Sequence, residues 1–184
     1  MCVRTVTDNK SIGNKIFLRR QATAHLDELH VLDLFAGHNV LWKNIPTARY
    51  YGVELLADKG ANLNADARRV IDSLDLSAFN VIDCDTYGIP FEVCRKILQN
   101  PSVQPSTVII YTAIANIFTR VPNDCLDMLG LHGMYSEKPS LLNKNAIDFF
   151  YDMLARLGVT QLHYYQSNDS YQKRYGYFIK PSRV

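Results

Sequence analysis

The sequence predicts an α/β fold: one domain on a mostly parallel sheet, closed near the C-terminus by an antiparallel pair of strands. Three observations carry that reading. Short apolar runs that end in turn residues alternate with helical stripes, the pattern of strands joined by right-handed crossovers. One run, "STVIIYTAIANIF", is continuous and β-branched, as in strands buried on both faces of a sheet. The last run, "VTQLHYYQSNDSYQKRYGYFIKP", divides around "SNDS" as a hairpin does. At 184 residues the chain suits a single domain.

Taken in order, residues 1–12 are polar and lead to Gly13, which predicts a flexible arm ahead of a domain spanning 13–184. From Lys15 to Leu29, Phe17, Leu18, Ala22, Leu26 and Leu29 form a helical stripe, with Arg19 and Arg20 beside it. "HVLDLFAGHNV" is a first strand that breaks at Gly37, "ARYYGVELL" a second, "FNVIDCDTYG" a third and "STVIIYTAIANIF" a fourth. Between the last two, "PFEVCRKILQN" puts Phe91, Cys94, Ile97 and Leu98 on one helical face. Residues 119–142 fit no alternation; a connection of that length is either a substrate loop or an ordered insertion. "NAIDFFYDMLARLG" then spaces Ala146, Phe149, Phe150, Met153, Leu154 and Leu157 as a helix that ends at Gly158.

With 47% hydrophobic and 21% charged residues the composition is that of a globular protein with a sizeable core. A formal charge of +2 is too mild to diagnose nucleic-acid binding, although a local basic face remains open. Cys2, Cys84, Cys94 and Cys125 show neither a CxxC pair nor the spacing of a metal site, which predicts reduced thiols and no metal. No signal-peptide core and no apolar run long enough to span a membrane is visible, so the expectation is a cytoplasmic protein without membrane contact.

The chemistry gathers at strand ends. In "VLDLFAGHN", Asp33 closes a strand and Phe35, Ala36 and Gly37 turn away from it; small residues and a glycine let the backbone pass close to a ligand. In "YYGVELL", Glu54 ends the second strand, where an acid accepts hydrogen bonds from both hydroxyls of a ribose. In "LNADARRV", Asp66, followed by Ala67, either accepts from the exocyclic amine of an adenine or caps the next helix, two compatible roles. Few residues separate Glu54 from Asp66, leaving little room for a helix and a further strand.

With "DCDTYG" as a fourth element, this order resembles the class I S-adenosylmethionine-dependent methyltransferases over roughly residues 30 to 180. The resemblance implies a single-domain Rossmann-like fold, a seven-stranded sheet with helices on both faces, and S-adenosylmethionine as cofactor. It assigns the cofactor to Asp33, Phe35, Ala36, Gly37, Asn39, Glu54, Asp66 and Ala67. Asn39 stands where the family often has a second glycine, and asparagine is the non-glycine residue most tolerant of positive φ. The GxGxxG of nicotinamide-binding proteins is missing from "DLFAGHN".

Within the family, "DCDTYG" looks like the D/N-P-P-Y/F motif of enzymes that methylate exocyclic amines of bases, in form nearest the DPYG of tRNA guanine-N2 methyltransferases. The implied catalytic residues are Asp85, Thr86 and Tyr87. The lone pair of an exocyclic amine is delocalised into its ring, so acceptors at Asp85 must take its hydrogens and return density to nitrogen. Tyr87 stacks on the base. Thr86 replaces proline; it keeps the carbonyl and loses the fixed φ. Asp83 shares a strand face with Asp85 and is given a structural role, as is the packed Trp42. Lys15, Arg19 and Arg20 are candidates for phosphate contacts with a polynucleotide. The first and fourth motifs lie too close together for a DNA-reading domain, which favours RNA over DNA. The alternatives are a cofactor-binding module without transfer, or a methyltransferase for small molecules or proteins.

Overall fold

The computed structural model describes residues 12–115, 119–166 and 172–182. Among them are seven strands: β1 (His30–Asp33), β2 (Arg49–Glu54), β3 (Leu63–Asn64), β4 (Val81–Cys84), β5 (Val108–Ala115), β6 (His163–Gln166) and β7 (Gln172–Ile179). They form one sheet in the order β3-β2-β1-β4-β5-β7-β6. The first five strands pair in parallel. β7 runs antiparallel to both β5 and β6, so the sheet is mixed. The strand order reverses direction between β1 and β4, and the carboxyl ends of those two strands frame the crevice where ligands bind in open α/β sheets.

The helices are α1 (Ile12–Thr23), α2 (Ala67–Ser73), α3 (Phe91–Gln99), α4 (Asn123–Leu129), α5 (His132–Glu137), α6 (Pro139–Lys144) and α7 (Ala146–Arg156). Alternate strand residues feed opposite faces of the sheet. Val31, Val81, Val108 and Ile110 join Leu18 and Ala22 of α1 in one apolar cluster. Leu32, Ile82 and Ile109 join side chains of α2, α3, α4 and α7 in a larger one, where Phe150 meets the ring edges of Phe91 and Tyr111. Each such side chain, taken fully out of water, stabilises the fold by about 1.5–3 kcal/mol. No helix among the described residues is long and apolar enough to cross a membrane.

Several boundaries differ from the sequence reading. The first helix stops at Thr23, whose hydroxyl donates back to the Arg19 carbonyl at 2.8 Å. Leu26 and Leu29 therefore follow in turns, Phe17 is exposed, and the buried face of α1 carries Arg19 with Leu18 and Ala22. The short stretch between Glu54 and Asp66 holds both a one-turn 3-10 helix, Ala57–Lys59, and the two-residue β3. Residues 119–142 contain α4, α5 and most of α6, with Cys125, Leu126 and Leu142 buried. Gly158, at φ 86°, closes α7 as expected, and the Val159 amide donates to the Leu154 carbonyl at 3.0 Å. Residues 1–11, which make up all but one residue of the predicted arm, lie outside the described residues.

Candidate active site

Two neighbouring features occupy the carboxyl ends of the strands. The first is a notch between the turn after β1 and the end of β2. The Ala36 amide donates to the Val53 carbonyl at 3.0 Å and the Gly37 amide to Glu54 Oε2 at 3.1 Å, so the turn folds down onto β2. A side chain at Gly52 would crowd this approach, since a Cβ there would sit 3.0 Å from both Ala36 Cβ and Tyr50 Oη. Gly37 takes φ 52° and Asn39 takes φ 56°, the conformation for which asparagine is tolerated. Glu54 Oε1 accepts from the Leu56 amide at 3.2 Å. The carboxylate is thus fixed at the tip of its strand with lone pairs to spare.

The Ala65 amide donates to the Glu54 carbonyl at 3.2 Å, which ties the start of α2 to the same edge. Asp66 caps α2, accepting from the Arg68 amide at 2.9 Å, and its carboxylate also pairs with the Arg68 guanidinium. Those hydrogen bonds hold its pKa down to about 2. The structure therefore gathers Ala36, Gly37, Asn39 and Glu54 into one notch, with Asp66 and Ala67 following on from β3. Phe35 is half-buried against the larger apolar cluster. S-adenosylmethionine fits this donor set: its ribose hydroxyls suit Glu54, and Asn39 Oδ1 is a buried acceptor without a partner among the described residues.

The second feature is a line of acids on the α1 face. Asp33 and Asp83 are register partners on β1 and β4, and Asp85 follows two residues on. Arg19 Nε donates to Asp83 Oδ2 at 2.7 Å, as does Trp42 Nε1 at 2.7 Å. Lys15 Nζ lies 2.7 Å from each oxygen of Asp85, and Thr112 Oγ1 donates to Asp85 Oδ1 at 2.5 Å. Tyr50 Oη donates to Asp33 Oδ2 at 3.0 Å.

Burial pushes Asp33 well above the usual carboxylate range, and neighbouring Asp83 adds to it. Burial raises Asp83 too, while Arg19 pulls it back. For Asp85 burial acts upward, but Lys15 and Arg19 overcome it and its pKa is lowered. Burial also works against the charge of Arg19, and Asp83, Asp85 and Asp33 together outweigh it.

These contacts correct two sequence-based placements, Arg19 and Asp33, and show where Lys15 rests. Arg19 is 1% exposed and spends its guanidinium on Asp83, so it presents nothing to a phosphate. Lys15 points inward with its ammonium on Asp85, and of the three candidate cations only Arg20 is exposed, where it donates to the Asn44 carbonyl. Asp33 lies inside the protein beneath the notch and supports the turn indirectly, through the Phe35 amide at 3.3 Å. Trp42 is packed, as expected, and also serves as a donor to Asp83.

A signal for this network was present in the spacing. Residues four apart on a helix are separated by about 6 Å along its axis, and residues two apart on a strand by about 6.6 Å. Lys15 and Arg19 therefore match Asp85 and Asp83 rung for rung. Thr112 carried no comparable signal, because it reads as one more β-branched residue in an apolar run.

Thr86 offsets the missing proline in another way. Its amide donates to the Cys84 carbonyl at 2.8 Å, a bond proline cannot make. Its hydroxyl lies 3.2 Å from both the Gly88 and Thr112 carbonyls, and the Ile114 amide holds the Gly88 carbonyl at 2.9 Å. The loop is pinned to β5 through hydrogen bonds instead of ring stiffness. Tyr87, 77% exposed, projects from it.

No family model and no curated protein sequence matches this chain. Solved structures do. A SAM-dependent methyltransferase from Archaeoglobus fulgidus superposes with a TM-score of 0.55 at 14% identity, covering 91% of this chain and 93% of that one. The fold is that of the class I S-adenosylmethionine-dependent methyltransferases. The N-methyltransferase NodS from Bradyrhizobium japonicum WM9 gives a TM-score of 0.52 at 9% identity, over 96% of this chain and all, 100%, of its own. Trm1 from Pyrococcus horikoshii, solved as a complex with S-adenosyl-L-methionine, gives 0.54 at 14% identity over 93% of this chain and 55% of its own.

Proposed function

We propose that the protein is an S-adenosylmethionine-dependent methyltransferase that N-methylates an exocyclic amine of a nucleic-acid base, in RNA rather than DNA. The observation that carries this reading is the juxtaposition, at the carboxyl ends of β1, β2 and β4, of the Gly37–Glu54 notch and a pinned loop bearing Asp85 and an exposed Tyr87.

Bound S-adenosylmethionine supplies an electrophilic methyl group. Glu54 holds the ribose through the lone pairs that the Gly37 and Leu56 amides leave free. Tyr87 offers its ring to the base, a contact of about 1–3 kcal/mol in base-binding proteins. The Asp85 carboxylate and a backbone carbonyl of the loop accept the amine hydrogens and concentrate electron density on nitrogen, and the carboxylate would take up the amine proton as the methyl exchanged its sulfur bond for one to nitrogen and the thioether left. Thr86 pins the loop through the Gly88 and Thr112 carbonyls, which turns loose encounter into alignment.

A second reading, cofactor binding without transfer, is favoured by one observation: both oxygens of Asp85 are engaged by Lys15. Incubation with isotopically labelled S-adenosylmethionine and total RNA, total DNA or a metabolite extract separates these outcomes. After digestion and mass spectrometry, the expected product is an N-methylated nucleoside from RNA, lost in Asp85→Ala with cofactor affinity retained. Label confined to small molecules or protein would refute the acceptor class, and no transfer despite cofactor binding would favour the second reading.

A further inference from the structure

Lys15 sits where the acceptor amine has to go. Its ammonium is 2.7 Å from each Asp85 oxygen, and the two side chains are only 13% and 11% exposed. A charge-assisted contact of this kind is roughly twice as strong as a neutral hydrogen bond, so an uncharged base amine competes poorly for the same carboxylate. Lys15 lies in the first turn of α1. One turn later Arg19 is locked to Asp83, so the helix stays docked while a long, unbranched lysine side chain can swing. If it does, Asp85 Oδ1 keeps the Thr112 hydroxyl at 2.5 Å and Oδ2 the Arg19 guanidinium at 3.8 Å, so the carboxylate stays partnered while Oδ2 regains lone pairs for an amine hydrogen.

Resting on the assignment of Asp85 as the acceptor residue, we propose that Lys15 is the specificity residue of this site: an internal ammonium that fills it until phosphates of an RNA draw the lysine away. A phosphodiester gives Lys15 a counter-charge in place of Asp85, and exposed Arg20 on the same helix adds a second cation for the backbone. A free nucleoside brings the amine without the phosphate and meets a closed site. The chain thus selects for amines carried on a polyanion, whichever base it methylates.

The test compares wild type with Lys15→Met and Lys15→Gln, the second keeping a neutral donor in case the first folds poorly. Methyl transfer is measured on mixed-sequence single-stranded RNA and on adenosine, cytidine and guanosine. The expected result is a fall of at least about tenfold, roughly 1.4 kcal/mol, in the ratio of kcat/KM for RNA to that for nucleosides, with nucleoside turnover rising in both variants. A second readout is independent of transfer: the 1H–15N signal of the Lys15 ammonium, assigned by its loss in Lys15→Met, should shift or broaden with RNA and stay fixed with nucleosides. An unchanged ratio in both variants, or a Lys15 signal indifferent to RNA, overturns the inference while leaving the acceptor reading intact. Transfer to neither acceptor by any of the three proteins, with the Lys15 signal still responding to RNA, overturns the acceptor reading instead and removes the specificity role that rests on it.

Discussion

Replacing Arg19 with methionine probes the part of the structure on which the whole site rests. Arg19 and Asp83 are 1% and 0% exposed, so the substitution removes the guanidinium and leaves the carboxylate in the interior with Trp42 as its remaining side-chain donor among the described residues. Breaking a buried pair in this way costs about 3–5 kcal/mol. For a domain of this size each kcal/mol lowers Tm by about 2–4 °C, so the melting point should fall by about 6–20 °C.

The loss should depend on pH. Burial raises Asp83, and Arg19 is the main group pulling it down. Without Arg19 its folded pKa climbs further above the unfolded value, and a raised group contributes stability at low pH that is lost as pH rises through its folded pKa. The deficit of Arg19→Met relative to wild type should therefore be smallest near pH 4 and grow toward neutrality. Arg19→Met combined with Asp83→Asn, which removes the stranded charge and keeps an acceptor for Trp42, should recover most of it. Urea unfolding across that pH range measures all three. A loss below about 1 kcal/mol, the range of exposed pairs, or a deficit that shrinks as pH rises, would refute the buried network.

Three further substitutions test separate links. Thr86→Pro introduces the proline of the DPPY-type motif that the loop resembles, yet it should lower turnover and stability, because it deletes the amide bond to Cys84 and the hydroxyl contacts to Gly88 and Thr112, each worth about 0.5–1.5 kcal/mol; faster transfer would show that ring stiffness matters more than the pins. Gly176→Ala puts a Cβ 2.4 Å from Tyr111 Oη and 2.5 Å from the His163 carbonyl, so denaturant unfolding should show a loss of at least about 1–3 kcal/mol, whereas Gly133→Ala meets nothing within 4 Å and should be neutral or slightly stabilising. Asp66→Ala removes the cap of α2 and should cost about 1 kcal/mol at neutral pH. With a folded pKa near 2 against an ordinary 3.8, the contribution of Asp66 is present above the higher value and disappears as pH falls through the lower, so the two proteins should converge in acid.

The parts of this site that were legible in the sequence are those set by backbone chemistry. Gly37 and Asn39 announce a turn, and Glu54 is placed by the end of its own strand, whereas the close approach at Gly52 shows only in the structure. Asp66 reads as a cap because caps are local. The inward partners of Lys15 and Arg19 were missed because a cation on a helix looks like a surface residue until something is known to face it. Their partners are 70 and 64 residues away in the chain, and only the docking of α1 on the sheet brings them together. β3 went unseen for a related reason: a two-residue strand has no period of its own and exists through its pairing with Val53 and Glu54.

In the proposed function the Gly37–Glu54 notch holds S-adenosylmethionine beside a separate acceptor end at Asp85. Calorimetric titration of the cofactor into wild type, Glu54→Ala and Asp85→Ala tests it most directly. The account predicts saturable binding by wild type, a loss of at least about tenfold in affinity for Glu54→Ala, roughly 1.4 kcal/mol, and near-wild-type affinity for Asp85→Ala. Absence of binding by wild type at millimolar cofactor, or equal loss in both variants, would contradict it.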